Sequence, residues 1–363
     1  MKNDIDELLQ RMSPEKLDAL LRKLGTQFDE FANSLAIGSI PELAPPFTDY
    51  ATFSGSLIEY YKQFFDKYLL YLSSISEQTW QFVNTSMQAF IRHEGGKDFE
   101  FNLRKEAEML MKGIIESLNA YYNGSPGMAF KILEDIFLAN ESHLLHGLPQ
   151  IEYKGPLYRV RSERGLLFPK DLFHIPFEYR ARCGSYRFSI LGYPSLYLSS
   201  SMETAINECR ITDNNYTAIC FMNDKPIRCI DLTLPNKALD FWERYCFVLF
   251  YPLIMACGLK VKEEQLPFKP EYVIPQLLFQ IVCTHSDVMG VSYTTTRSEQ
   301  PDYKNSKQRN FVLKVPQANK SKGYSQKLAE MFKCSLPISP EEYEAATDIE
   351  AKLDRTSYRE VLR

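Results

Sequence analysis

No two of the eight cysteines form a Cys-x-x-Cys pair. Cys183, Cys209, Cys220, Cys229, Cys246, Cys257, Cys283 and Cys334 are scattered, several of them in apolar runs, where a thiol acts as a small hydrophobe in a reducing compartment. A zinc site needs Cys and His clustered at ligand spacing; none is present, and a metal-free protein is expected. Two glycine-rich signatures are missing as well, the P-loop and Gly-x-Gly-x-x-Gly, which excludes a P-loop NTPase and a Rossmann dehydrogenase. The opening Met1-Lys2-Asn3-Asp4-Ile5-Asp6-Glu7 leads into no apolar h-region, so no secretory leader is expected. The longest uncharged run is 15 residues, as at 245–259, and that run contains Pro252. It falls short of the roughly 20 residues of a membrane span and reads as a buried helix. A cytoplasmic protein, away from the membrane, is expected. Nor does the net charge of −4 supply a basic footprint for nucleic acid. Lys304, Lys307, Arg309, Lys314, Lys320 and Lys322 read as a solvated loop and strand edge.

What is there is an ordinary globular composition, 45% hydrophobic and 24% charged, with 24 Phe and 22 Tyr to build an aromatic core. At 363 residues the chain has room for two domains. The first part reads as helical. Ser13-Pro14-Glu15 opens a short amphipathic helix that Gly25 stops. Two aromatic-dense helical patterns follow over 54–92, then helices over 104–122 and 128–144. The stripe Tyr60, Tyr61, Phe64, Phe65, Tyr68 at helical spacing predicts core. A helical nuclease would place an Arg about one turn ahead of a His, and His93, His143 and His146 have none. After Leu148-Pro149 the texture becomes mixed: strands are expected at 157–161, 195–198, 217–221, 227–231, 290–294 and 311–315, and helices at 202–210, 240–258 and 272–284. Ser339-Pro340-Glu341-Glu342 is a capping box opening a charged C-terminal helix.

Three segments of the second half carry the chemistry. The first is Pro156-Leu157-Tyr158-Arg159-Val160-Arg161. The second runs from Arg187-Phe188-Ser189 through Gly192-Tyr193-Pro194 and Leu196-Tyr197-Leu198 to the small-residue cap Ser199-Ser200-Ser201 and Glu208. The third is Gly290-Val291-Ser292-Tyr293-Thr294-Thr295 with Asn310-Phe311-Val312-Leu313. In this ordered set, over residues 155–318, the chain resembles the RES-domain family, named for an Arg, a Glu and a Ser. The resemblance implies a compact ADP-ribosyltransferase-like fold and cleavage of NAD⁺, as substrate, at the nicotinamide–ribose bond. It places the family's Arg at Arg159, its Tyr at Tyr197 and its Glu at Glu208. Where the family has its Ser this chain has Thr295, which keeps the hydroxyl and adds a methyl; Ser292 and Thr294 are neighbouring alternatives.

These residue types suit that reaction. Breaking an N-glycosidic bond to nicotinamide builds positive charge at the anomeric carbon, and a carboxylate there strengthens its hold as the charge develops. Ser200-Ser201-Met202-Glu203 reads as a capping box that sets Glu208 two turns into a helix. Arg159, on a strand whose Tyr158 and Val160 turn the other way, offers a planar fork for a pyrophosphate or a ribose, with Arg161 as its rival. Tyr197 suits stacking on the nicotinamide or bonding the ribose, and Arg187 a second phosphate contact. His174, ahead of Ile175-Pro176, reads as a loop residue.

The expectation is an α+β chain: an all-helical domain over 1–148, a mixed α/β ADP-ribosyltransferase-like RES domain over 149–335 and a helical tail over 336–363. The expected activity is NAD⁺ phosphorolysis or hydrolysis, by a bacterial toxin or phage-defence effector restrained by an antitoxin protein. Alternatives are transfer of ADP-ribose to a protein or nucleic acid, and a non-catalytic binding module. Because the N-terminal helices hold more Tyr and Phe than one small bundle need bury, they are expected to drive homo-oligomerisation or restrain the catalytic half; the alternative is that they complete its core.

Overall fold

The computed structural model describes residues 43, 45, 47, 49–93, 102–138, 148–162, 167–213, 215–235, 239, 241–285, 288–297, 306–317, 319–344 and 359–362. The helix expected at 13–25, together with His143 and His146, lies outside the described residues.

Ser56 starts the first long helix, α1 (Leu57–Ser74), with a complete capping box: its hydroxyl accepts the Glu59 N–H, and the Glu59 carboxylate accepts the Ser56 N–H at 2.7 Å. The stripe Tyr60, Tyr61, Phe64, Phe65, Tyr68 and Leu72 is buried along one face, as its spacing requires. α2 (Glu77–His93), α3 (Leu103–Tyr122) and α4 (Pro126–Leu138) follow. Asn102 caps α3, and Gly124 makes the turn into α4 at φ +77°.

These helices share one hydrophobic core with two helices from beyond residue 148, α6 (Phe241–Gly258) and α7 (Val273–His285), so the change of texture there is no break in packing. The surplus of aromatics has its use in this shared core. Pro252 sits inside α6 and has no N–H for the carbonyl of Val248, one turn back. Tyr68 of α1 supplies the missing donor, its hydroxyl 2.5 Å from that carbonyl. Near the end of the same helix Tyr61 donates to the Ala256 carbonyl, one of those the helix leaves unpaired. Further links are Tyr245 to Glu106 and, at 2.5 Å, His285 to Glu134. Burial in this core raises the Glu106 carboxyl to about 7.

The nine described strands form one sheet in the order β1-β5-β6-β7-β3-β2-β4-β8-β9. They are β1 (Gln150–Tyr153), β2 (Pro156–Arg161), β3 (Leu196–Ser199), β4 (Thr217–Asn223), β5 (Ile227–Asp231), β6 (Gly290–Thr294), β7 (Arg309–Leu313), β8 (Phe332–Cys334) and β9 (Arg359–Glu360). All neighbours are antiparallel except β5 and β6, which run parallel because α6 and α7 form the crossover between them. Val291, Tyr293 and Val312 face the helical core, while Leu196, Leu198, Phe311 and Leu313 face a second one with Phe173, Phe177 and Phe332. Between them the chain is α+β, helices first and a mixed sheet after. The short helix α5 (Met202–Glu208) packs Met202 and Ala205 onto Tyr158, Val160, Ala218 and Cys220.

The segment expected as a helical tail opens as the sequence suggests. Ser339 and Glu342 cap the one-turn helix Pro340–Glu344 reciprocally. It then returns to the sheet: β9 pairs with β8 and Val361 is buried. A two-residue strand has no readable period; its place comes from the unpaired edge of β8. Among the described residues no helix is long and apolar enough to cross a membrane.

Candidate active site

α5 begins at Met202 as expected, but its cap lies one residue later than the capping-box pattern indicates. Ser201, not Ser200, is the cap: its hydroxyl accepts the Thr204 N–H and donates to the Lys307 carbonyl at 2.8 Å. Ser200 instead accepts the N–H of Arg309 and donates to its carbonyl, tying the helix start to β7. The helix is seven residues long, so Glu208 is its last residue.

Glu208 lines a cleft of about 420 Å³ whose wall also includes Arg159, Tyr197, Arg187, Arg297 and Asn310. Among the described residues of that wall it is the sole carboxylate. Its Oε1 accepts the Thr295 hydroxyl at 2.5 Å and the Asn310 Nδ2 at 2.7 Å. Its Oε2 lies 3.4 Å from Arg297 Nε. The Thr295 hydroxyl also accepts the Arg297 N–H at 3.2 Å, so both of its hydrogen-bonding functions are engaged.

Arg159 projects from β2 and donates from Nη1 to the Tyr197 carbonyl at 2.8 Å. Burial lowers its pKa, yet from so high a starting value that the guanidinium stays charged. A half-buried cation with a carbonyl for partner attracts an anion. Tyr197 sends its hydroxyl to the Phe188 carbonyl at 2.8 Å and stands edge-on to Tyr186. Burial raises its phenol well above the ordinary value, so it stays neutral. Tyr272 and Tyr293 complete an aromatic wall.

The other sequence candidates are placed differently. Arg187 is 6% exposed, and its fork is anchored inside the protein: Nη1 donates to the Cys257 carbonyl at the end of α6, Nη2 to the Thr296 hydroxyl. The Tyr272 ring lies against it, 5.3 Å away. It therefore props the cleft wall, with one N–H of each terminal nitrogen engaged inside the protein. Arg161 is exposed, bonds the Asp171 carbonyl and lies off the cleft wall. Ser292 alternates with Tyr293 on β6, so it points to the opposite face, fully buried. Of the hydroxyls near the family's Ser position, the one bonded to Glu208 is that of Thr295. Arg297 and Asn310 border the third sequence segment, but the sequence reading gave neither a role. The available signal for Asn310 was a polar residue at the head of the apolar run Phe311-Val312-Leu313.

His174 is a structural residue. At 1% exposure its Nδ1 donates to the Ile175 carbonyl and its Nε2 accepts the Ser325 N–H. Burial lowers its pKa from 6.5 to about 4. The folded imidazole thus stays neutral while the unfolded one gains a proton as the pH drops. Stability present above about pH 6.5 should be lost as the pH falls toward 4, to the extent of about 3 kcal/mol. Urea unfolding of the wild type and His174→Gln across that range checks this. Equal pH dependence in the two proteins would show that His174 is not the group responsible.

Fold and site together define a class: an α+β protein whose sheet carries an arginine- and tyrosine-walled cleft around one anchored carboxylate. Residues 156–267 match the family model of the RES domain, and this part of the chain is a RES domain. Arg159, Tyr197 and Glu208 fall within the match; Thr295, Arg297 and Asn310 lie beyond it. The chain is also similar to a Bacillus subtilis (strain 168) protein named "Putative toxin YopC", with 29% identity over 278 residues. That alignment covers 69% of this chain and 63% of the relative, so the chain spans somewhat less than two thirds of the relative's length. No solved structure matches.

Proposed function

We propose that this cleft binds NAD⁺ and that the protein cleaves the bond between nicotinamide and ribose. The observation that carries the reading is Glu208, the lone carboxylate among the described residues of a cleft whose other described charged side chains are cationic. Arg159 and Arg297 suit the pyrophosphate. The tyrosine wall suits a flat ring. In the reaction the C–N bond breaks with its electron pair leaving on nicotinamide, which becomes neutral. The anomeric carbon becomes cationic and is captured by phosphate or water. A fixed carboxylate that bonds the ribose hydroxyls, or faces that carbon, stabilises this charge without having to reorganise.

The toxin name of the Bacillus subtilis relative supports a toxin-like role, and an activity that consumes a universal cofactor calls for restraint by a partner protein. Purified full-length protein incubated with NAD⁺, with and without phosphate, tests the chemistry. Free ADP-ribose marks hydrolysis, a phosphorylated ADP-ribose marks phosphorolysis, and label retained on protein or nucleic acid marks transfer. Absence of nicotinamide release under all conditions would leave a binding module.

Arg159→Lys keeps the charge but cannot reproduce a planar fork that holds the Tyr197 carbonyl and a ligand anion together. The KM for NAD⁺ is expected to rise about tenfold or more, the equivalent of about 1.4 kcal/mol of binding. Wild-type KM in this variant, with Arg161→Lys the impaired one, would transfer the role to Arg161.

A further inference from the structure

We propose that Asn310, itself oriented by Ser199, is a positioning residue that turns the Glu208 carboxylate so that Oε2 is the oxygen presented to the substrate. The inference rests on the reading of Glu208 given above and goes past it, because it says which oxygen acts and what aims it.

The argument starts from hydrogen-bond capacity. A carboxylate oxygen has two lone-pair directions. Both on Oε1 are taken, by the Thr295 hydroxyl at 2.5 Å and the Asn310 amide at 2.7 Å. Oε2 has a single neighbour of this kind among the described residues, Arg297 Nε at the longer distance of 3.4 Å. Oε2 is therefore the oxygen with capacity left for a ligand.

The Asn310 amide is itself held one way round. Its Oδ1 accepts the Ser199 hydroxyl at 2.7 Å, which leaves Nδ2 to face Glu208. A flipped amide would set Oδ1 against a carboxylate oxygen and leave the Ser199 hydroxyl facing an N–H. The backbone makes the arrangement rigid. Asn310 lies opposite Ser199 on β3 and opposite Tyr293 on β6, inside the sheet and 3% exposed. Ser199 follows Tyr197 by two residues on one strand, so one strand-to-strand register sets the aromatic wall and the carboxylate together. Supported in this way, a side chain at a helix end acquires the precision of a sheet.

The test is steady-state kinetics of nicotinamide release from NAD⁺ by full-length Asn310→Ala, Asn310→Asp and Ser199→Ala, over a range of pH. Asn310→Ala should lower kcat by about 10- to 100-fold, with KM within about threefold of wild type, because the lost contact serves the carboxylate rather than binding. Asn310→Asp, the same size but with an acceptor facing an acceptor, should lose more. Ser199→Ala should lose less, since Thr295 still holds Oε1. The acid limb of the kcat profile should move to higher pH in the Asn310 variants, since a carboxylate accepting one hydrogen bond fewer keeps its proton longer. Among the described residues the other titratable groups facing Glu208 are Arg297, Cys209 and Tyr293, and none of them is altered; burial raises both the thiol and the phenol, which stay neutral. A purely structural role would lower thermal stability and leave the acid limb in place. If kcat and the acid limb are unchanged in both Asn310 variants while Glu208→Gln is inactive, the positioning role is wrong and the reading of Glu208 stands. If Glu208→Gln itself turns over like wild type, that reading fails and this one with it.

Discussion

Replacing Glu208 with Gln is expected to reduce nicotinamide release from NAD⁺ by roughly 10²–10³-fold, the usual cost of losing one preorganised electrostatic contact to a transition state. The substitution is gentle on the structure. Gln keeps an oxygen where Oε1 accepts Thr295 and Asn310, and its amide takes the place of Oε2. What disappears is the negative charge, and with it the ion pair to Arg297. The amide then points two donors where an oxocarbenium-like centre needs an anion. Thermal unfolding and kinetics on the same preparation separate loss of chemistry from loss of fold. A variant that melts near the wild type and is inactive supports the proposed role. Turnover within a few-fold of wild type removes Glu208 from the mechanism.

The second large effect is expected from cutting the chain at residue 148. A fragment of residues 149–363 should fail to fold, because α6 and α7 are apolar nearly all round and would lose the helices that cover them. Beyond lost burial, the fragment leaves the Val248 carbonyl, orphaned by Pro252, without the Tyr68 hydroxyl, and the Ala256 carbonyl without Tyr61. An unpaired buried polar group costs about 1–3 kcal/mol each, and native proteins have only about 5–15 kcal/mol in hand. Tyr68→Phe in the full-length chain isolates one such contact and should lower unfolding free energy by about 1–3 kcal/mol. Insoluble fragment and destabilised point variant together establish an integral core. A soluble fragment with altered NAD⁺ consumption would instead make the helices a detachable restraint.

Much of this fold is readable from residue patterns alone. β5 and β6 fall where their short apolar runs lie, since turn residues bound both. The stripe from Tyr60 to Tyr68 reads as core because a period of 3.6 puts those rings on one face. β7 reads two residues too late, because Arg309 and Asn310 are polar and buried. Arg309 is held by an ion pair to Asp231, and Asn310 by Ser199 and Glu208. The Ser201 cap is displaced from the expected Ser200 because three serines in a row offer the same local chemistry. Only the start of β7 and the turn before it, at the Arg309 and Lys307 backbones, distinguish them.

By itself the sequence indicated most of the helices and strands, a mixed second half, and Arg159, Tyr197 and Glu208 as its candidate residues. All of these rest on local periodicity, turn chemistry or a spaced motif. Tertiary structure alone decided the rest. It set α1 against α6, since an apolar face does not specify its partner. It also anchored Arg187 on the end of α6, turned Ser292 away from the cleft, and brought Asn310 to Glu208. Those outcomes follow from contacts between residues roughly 70 to 180 positions apart in the chain. Strand register and helix docking create such contacts, and no local pattern encodes them.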